Sequence, residues 1–136
     1  MDDVDRLAQG IGAALVARGD TIGVAESLTG GLLVQALARA EGSGDWLRGG
    51  VVAYARGVKH DVLGVAADKV VSSAAAAEMA GGVRRLLGAD VAVAVTGVAG
   101  PDHQDGEPPG TVWIGVDTGA PVASFLGAAG TPAGTG

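Results

Sequence analysis

Three short segments of the sequence carry side chains that could take part in catalysis. They are Glu26-Ser27-Leu28-Thr29-Gly30-Gly31, the stretch from Tyr54 to Lys59, and Thr96-Gly97-Val98-Ala99-Gly100-Pro101. A serine is a weak nucleophile until a base takes its proton, and a lysine can be that base when burial or nearby positive charge lowers its pKa. The residue types therefore indicate Ser27 as a nucleophile, Lys59 as its base and Tyr54 as an alternative proton relay.

The first and third segments also predict binding places for a negatively charged group. The first lies where a β-branched run ends and an apolar helical stretch begins, and the first turn of a helix has backbone N–H groups without partners inside the helix. We expect those N–H groups and the hydroxyls of Ser27 and Thr29 to converge on an anion or a developing oxyanion. In the third segment, Gly97 and Gly100 leave backbone N–H groups open to a ligand, which is typical of an oxyanion or phosphate cradle.

Each of these residues also has a purely structural interpretation. Ser27 or Thr29 could simply cap a helix, which is a common use of these residue types at such a turn. Glu26 could orient a substrate, but a carboxylate at a helix N-terminus stabilises the helix in any case. Lysines such as Lys59 are often solvated on a helix surface, and a tyrosine at a strand end, such as Tyr54, usually packs with its hydroxyl in water.

The sequence predicts no metal site and no cofactor. His60 and His103 are the only histidines, and neither has a second ligand at a spacing typical of metal sites. The acidic loop residues Asp102, Asp105 and Glu107 could hold Mg²⁺, but a solvated loop is the favoured interpretation. The chain also has no GxGxxG, GxxxxGK[ST] or GxSxG motif, which argues against dinucleotide, P-loop and α/β-hydrolase chemistry.

Composition and charge restrict the class of protein. The chain has 136 residues, no cysteine and a net charge of −6, which fits one domain in a reducing compartment. All nine basic residues lie at or before Arg85, so the basic surface of a nucleic-acid binder is missing. The acidic start and the lack of an apolar run of ~20 residues predict a soluble, cytoplasmic protein that does not bind a membrane.

Hydrophobic periodicity predicts alternating helices and strands, and hence an α/β sheet. Helices are expected at 3–18, 30–40, 58–63 and from Ser72 or Ser73 to Leu87, and strands at 21–25, 50–54, 91–95, 111–116 and 122–126. Ligands of open α/β sheets bind beyond the carboxyl ends of the strands, so the three segments should meet in one pocket. We expect a single domain over residues 1–126 and a low-complexity tail at 127–136 with little to bury, a candidate for disorder.

Further matches extend these segments and give the chain a family resemblance. They are Gly50-Val51-Val52-Ala53-Tyr54 with Lys59 five residues later, Glu78-Met79-Ala80 followed by Gly82, Thr96 to Asp102, and Pro109-Gly110-Thr111-Val112. In this order and spacing they resemble the CinA C-terminal domain of competence/damage-inducible proteins, whose standalone members are the nicotinamide-nucleotide amidohydrolases called PncC. The resemblance covers about residues 5–126.

The resemblance implies a three-layer α/β/α fold with a mostly parallel mixed sheet. It also implies hydrolysis of the carboxamide of nicotinamide mononucleotide to nicotinate mononucleotide and ammonia, in pyridine nucleotide recycling and without a metal. Ser27, Tyr54 and Lys59 fall on the family's active-site positions. The implied substrate-binding residues are Thr29, Gly30, Thr96, Gly97, Ala99 and Gly100, with Glu26 and Gly31 beside them.

The sequence departs from the family pattern at three places. Leu28 stands where the family usually has Cys, and Ala55-Arg56 replaces Ser-Asn, which removes one amide partner near the site. After Phe125-Leu126-Gly127 the family continues into a phosphate-binding arginine and a final helix that have no counterpart here. A phosphate would then rely on backbone donors and on Arg48, Arg56 or Lys59. We expect the uncovered sheet face to be an apolar patch filled by a second subunit in a homodimer.

Two hypotheses about function remain open at this stage. The first is a working amidohydrolase, favoured by Ser27, Tyr54 and Lys59. The second is a catalytically degenerate paralogue that acts as a nucleotide-binding or assembly module, favoured by the missing arginine and helix.

Overall fold

Five strands form one sheet in the computed structural model, which describes residues 2–102, 104–120 and 123–128. The strands are β1 (Ile22–Glu26), β2 (Leu47–Val52), β3 (Val91–Gly97), β4 (Thr111–Asp117) and β5 (Ala123–Ala128). Their order across the sheet is β2-β1-β3-β4-β5. β1 pairs in parallel with both β2 and β3, whereas β4 and β5 are each antiparallel to their neighbours. The predicted mixed α/β sheet is confirmed.

Five helices connect or cover these strands. They are α1 (Asp3–Arg18), α2 (Leu32–Ala38), α3 (Ser43–Trp46), α4 (Arg56–Leu63) and α5 (Ser73–Leu87). Local sequence explains where the two longest helices, α1 and α5, begin and end. The side chains of Asp2 and Ser72 accept hydrogen bonds from backbone N–H groups in their first turns, and Gly19 and Gly88 end them in the left-handed conformation. None of the helices that the structure describes is long and apolar enough to cross a membrane.

The helices lie on both faces of the sheet, and each face has its own apolar cluster. Successive side chains of a strand point to opposite faces, and in β1 Val24 packs in a cluster with α1, α2 and α3 residues while Ala25 packs with α4 and α5. Small residues let α5 approach closely. A Cβ atom at Gly115 would collide with the backbone carbonyl of Ala76. The three-layer arrangement expected from the family resemblance is therefore present.

Several element boundaries differ from the predictions: α2 is shorter than 30–40, α4 begins at Arg56 instead of 58, and β3 extends to Gly97. β2 runs from Leu47 to Val52 instead of 50–54, and the stretch Gly42-Ser43-Gly44, for which no helix was predicted, leads into the short helix α3. β5 continues to Ala128, so the predicted tail does not begin at Gly127 but after the strand. The rest of that tail, residues 129–136, lies outside the described residues, as do Val122 of the predicted last strand and His103.

The predicted uncovered sheet face includes the side chain of Phe125. This residue pairs with Ile114 of β4 and is 56% exposed. The homodimer that was expected to cover the face stays a prediction.

Candidate active site

The carboxyl ends of the three parallel strands meet at one edge of the sheet, as predicted. The register places Glu26 of β1 opposite both Val52 of β2 and Val95 of β3, so the segments after these strands lie side by side. A cavity of about 140 Å³ opens there, and its walls are formed by Ser27, Leu28, Tyr54, Lys59, Gly97, Ala99 and Gln104. The structure thus brings the three predicted catalytic residues together with two of the predicted binding residues.

Lys59 lies in the first half of α4 and is only 2% exposed. Its Nζ atom donates a hydrogen bond to the backbone carbonyl of Tyr54 at 3.2 Å. Burial lowers the pKa of Lys59 below its ordinary value, the nearby guanidinium of Arg56 lowers it further, and the carboxylate of Asp105 acts in the opposite direction. The uncharged amine, which is the form that accepts a proton, is therefore more populated than in an exposed lysine.

Ser27 and Tyr54 border the same cavity in different ways. Ser27 directly follows β1, is 5% exposed, and its carbonyl accepts the N–H of Gly30 at 3.1 Å in a tight turn. Tyr54 is 69% exposed and stands at the rim, and its backbone carbonyl holds Lys59. Ser27 is thus the buried hydroxyl of the site and Tyr54 its exposed one.

Glu26 occupies the helix N-terminus that was predicted to receive an anion. Its side chain is fully buried, and Oε1 accepts from the Thr29 hydroxyl at 2.6 Å and from the N–H of Gly31 at 3.2 Å. The N–H groups of Leu33 and Val34 donate to the same carboxylate at 2.9 and 2.8 Å. These are the orphan donors of the first turn of α2.

The prediction of free N–H groups at this helix end is therefore wrong, because the chain supplies its own anion. The helix-stabilising interpretation of Glu26 is the one that this geometry favours. Thr29 and Gly31 belong to the same cap, and Gly30 donates to the Ser27 carbonyl. None of these four residues is among those that line the cavity.

The segment after β3 divides between the cavity and the core. The hydroxyl of Thr96 is fully buried and donates to the carbonyl of Val70 at 2.6 Å, so it ties β3 to a neighbouring loop instead of lining the cavity. Gly97 lines the cavity, and a Cβ atom there would stand 2.5 Å from the Thr111 carbonyl oxygen. Ala99 lines the cavity as well, whereas Gly100 does not.

The three basic side chains that were predicted to bind a phosphate differ in their position relative to the cavity. Arg48 lies at the start of β2, at the sheet edge opposite the cavity, and its Nε donates to the Leu87 carbonyl at 2.9 Å. Arg56 is close to the cavity because it begins α4, but it forms an ion pair with Asp105 at 3.1 Å. Lys59 lines the cavity itself. Arg48 is thus in the wrong place to contact a ligand held by Ser27.

Among the described residues, no three His, Asp or Glu side chains are grouped so that they could hold a metal ion. In the acidic loop, Asp105 is instead engaged by Arg56 and by the backbone N–H of Val71. His60 faces the carbonyl of Val65.

Sequence reasoning missed Gln104 as a cavity residue. No predicted helix or strand includes residue 104, and no motif singles out this glutamine. The signal that could have found it is positional, because the loop follows the central parallel strand, where ligands bind in such sheets.

Comparison with known proteins gives a family match over most of the chain. The model of the CinA C-terminal domain matches residues 4–126. The nicotinamide-nucleotide amidohydrolase PncC of Enterobacter agglomerans is 47% identical over 111 residues, which are 77% of this chain and 68% of the relative. A CinA-like protein of Frankia casuarinae is 50% identical over 107 residues, which are 75% of this chain. The chain spans 25% of the length of that Frankia protein and 30% or less of three other curated relatives.

Solved structures give the same result. A competence-damaged protein (CinA) superfamily protein from Klebsiella pneumoniae 700603 superposes with a TM-score of 0.88 at 34% identity, covering 93% of this chain and 83% of the other. A competence/damage-inducible protein from Agrobacterium tumefaciens gives a TM-score of 0.85 at 33% identity, covering 93% and 81%.

Proposed function

Because this chain belongs to the CinA C-terminal domain family, we propose that it hydrolyses the carboxamide of nicotinamide mononucleotide to nicotinate mononucleotide and ammonia. The observation that carries the proposal is the placement of the Ser27 hydroxyl and the buried Lys59 amine on the walls of one cavity. The name of the Enterobacter relative, nicotinamide-nucleotide amidohydrolase, supports the choice of substrate.

The reaction proceeds in two halves. Lys59, as an uncharged amine, takes the proton of the Ser27 hydroxyl while the serine oxygen attacks the carboxamide carbon. The protonated lysine then gives its proton to the departing nitrogen, which leaves as ammonia, and an ester to Ser27 remains. Water, activated by the same lysine, hydrolyses that ester to the carboxylate and restores the serine. Because burial lowers the pKa of Lys59 below its ordinary value, the amine is a better source of the uncharged base that the first step needs, and its protonated form is a stronger acid for the second.

The negative oxygen of the tetrahedral intermediate needs hydrogen-bond donors. The N–H groups of Gly31, Leu33 and Val34 are taken by Glu26, so the donors come from another part of the wall. The N–H of Val98 is also taken, by the Thr111 carbonyl at 2.9 Å. Ala99 borders the cavity just beyond the end of β3, and we assign the oxyanion to its backbone N–H.

Cavity size decides which part of the substrate is enclosed. Clefts that enclose a whole drug-sized ligand have volumes of about 300–1,000 Å³, whereas this cavity has about 140 Å³. The cavity therefore accepts the ring with its carboxamide, and the ribose and phosphate lie outside it. We propose that Tyr54, which is exposed at the rim, contacts the sugar side of the substrate.

A Lys59→Ala variant separates the proposal from its alternative, a nucleotide-binding module without turnover. In an amidohydrolase the variant loses ammonia release by a factor of about 10²–10⁴, the usual contribution of a general acid–base group, while its Kd for the nucleotide changes much less. Lys69→Ala is the matched control, because Lys69 is the other lysine of the sequence, is exposed and does not line the cavity; it should keep the turnover of the parent. Binding without turnover by the parent protein would instead support the binding module.

A further inference from the structure

One wall of the cavity is built by a turn that the proposed reaction does not use. Gln104 and Glu107 exchange backbone hydrogen bonds of 3.0 and 2.9 Å around Asp105-Gly106. Among the seven residues that line the cavity, Gln104 alone has a side-chain amide. Such an amide offers both a donor NH₂ and an acceptor carbonyl, which is the complement of a substrate carboxamide.

The turn is fixed to the rest of the site through Asp105. Its carboxylate accepts a hydrogen bond from Arg56 Nη2 at 3.1 Å with one oxygen and from the N–H of Val71 at 3.2 Å with the other. Arg56 in turn donates through Nη1 to the carbonyl of Asp68 at 2.6 Å. We call these four residues the Asp105 clamp. It joins the turn that carries Gln104 to the first residue of α4, three residues before Lys59.

The backbone of the turn passes through the left-handed region at two successive residues. Asp105 is the only described non-glycine residue with positive φ, at 53°, and Gly106 follows at 80°. Aspartate is among the few side chains that tolerate this region. Its carboxyl pKa is lowered although burial alone would raise it, because the hydrogen bonds from Arg56 and Val71 favour the ionised form. The clamp therefore holds its charge, and with it the position of Gln104, at neutral pH.

We propose that Gln104 hydrogen-bonds the carboxamide of the substrate and selects it over the carboxylate product, and that Asp105 is a positioning residue that sets Gln104 through the clamp. The inference rests on the proposed amidohydrolase function. An amide substrate forms a donor–acceptor pair with Gln104, whereas a carboxylate has acceptors only and loses one bond of that pair. Release of the acid product is then favoured over its rebinding.

Gln104→Leu and Asp105→Asn test the two roles, with Gln9→Leu on α1 and Asp102→Asn in the same loop as matched controls. KM and kcat for ammonia release, Kd for nicotinamide mononucleotide in a Ser27→Ala background, and inhibition by nicotinate mononucleotide are measured. Loss of the Gln104 amide should raise KM and Kd about tenfold, as expected for an unpaired hydrogen-bonding group, and change kcat less than about threefold. Selectivity for the amide over the acid should fall by a similar factor.

A double-mutant cycle tests whether Asp105 acts through Gln104. Asp105→Asn should raise KM in the parent protein but cause no further rise of KM in Gln104→Leu, whereas any effect on kcat through the pKa of Lys59 should be the same in both backgrounds. Gln104→Glu keeps the length of the side chain but removes the NH₂ donor. It should also weaken binding of the amide, and this loss could not be attributed to altered packing.

The outcomes separate this inference from the function on which it rests. Turnover by Gln104→Leu with KM and Kd within twofold of the parent would overturn the role of Gln104. Independent, multiplying effects of the two substitutions would overturn the positioning role of Asp105. A parent that binds the nucleotide but releases no ammonia refutes the proposed function, and the Kd comparison then still decides on Gln104. A parent that neither binds nor turns over overturns both.

Discussion

The buried carboxylate of Glu26 should contribute strongly to stability, and Glu26→Gln tests this with the smallest change of shape. In the parent, one oxygen accepts three hydrogen bonds, from Thr29, Gly31 and Leu33, and the other accepts one, from Val34. A glutamine keeps its carbonyl toward the first three donors. Its NH₂ group then faces the N–H of Val34, so two donors meet and neither has a partner.

The cost follows from these contacts. A buried donor left without a partner costs about 1–3 kcal/mol, and the loss of negative charge at the start of α2 adds about 0.3–1 kcal/mol. The three remaining bonds also weaken, because bonds to an ionised acceptor are roughly twice as strong as neutral ones. We expect a loss of about 2–4 kcal/mol, which for a chain of this size lowers Tm by about 6–12 °C.

Urea unfolding followed by circular dichroism measures this loss directly, with Glu41→Gln as the control because Glu41 is exposed. The control should change the free energy of unfolding by less than about 0.5 kcal/mol. If Glu26 were primarily a substrate ligand, Glu26→Gln would leave stability unchanged and raise KM. A free energy of unfolding equal to that of the control would refute the capping role.

Three further results are expected. Lys59→Met should abolish turnover and stabilise the protein by about 0.5–2 kcal/mol at pH 7, since it removes an amine whose charged form is disfavoured by burial. Urea unfolding and an activity assay of the same variant check the two effects. The folded-state pKa of Lys59 is lowered from 10.5, so the unfolded state binds more protons between the two values. The free energy of unfolding of the parent should therefore rise with pH across that window, and this rise should vanish in Lys59→Met. The ratio kcat/KM should also rise with pH through an apparent pKa below 10.5. Unfolding curves and rate profiles at several pH values check this, and a stability or a kcat/KM that does not depend on pH would contradict the assignment. Gly115→Ala should destabilise the protein by several kcal/mol, because the added Cβ would overlap the Ala76 carbonyl. Gly10→Ala on α1 is the control: it has open space around it and should be neutral or stabilise by about 0.5–1 kcal/mol. Tm shifts of the same sign and size for both variants would contradict the close packing of α5 on the sheet.

Much of the fold follows from local sequence signals. Periodicity and end signals placed α1 correctly at residues 3–18, and the cap at Ser72 and the stop at Gly88 bounded α5. The start of β2 was missed because Arg48 and two glycines interrupt its apolar pattern. The short helix α3 was missed because a Gly-Ser-Gly sequence is typical of a turn, and only the burial of Trp46 beneath α1 stabilises a helical turn there.

The candidate site shows where sequence reasoning stops. Convergence of Ser27, Tyr54 and Lys59 was predictable, because the carboxyl ends of parallel strands share one edge of the sheet. The partner of the α2 N–H groups was not, since Glu26 and Val34 are eight residues apart and only the folded turn brings them together. Gln104 was equally hidden, because its place depends on an ion pair between Asp105 and Arg56, 49 residues away.

The most direct test of the proposed activity is the release of ammonia and nicotinate mononucleotide from nicotinamide mononucleotide by the purified chain, with Ser27→Ala as the control. The proposal predicts equal amounts of both products from the parent and none above background from the variant, which should unfold at a similar temperature. Equal turnover by the folded Ser27→Ala variant, or no product from a folded parent that binds the nucleotide, would contradict the assignment of this cavity as an amidohydrolase site.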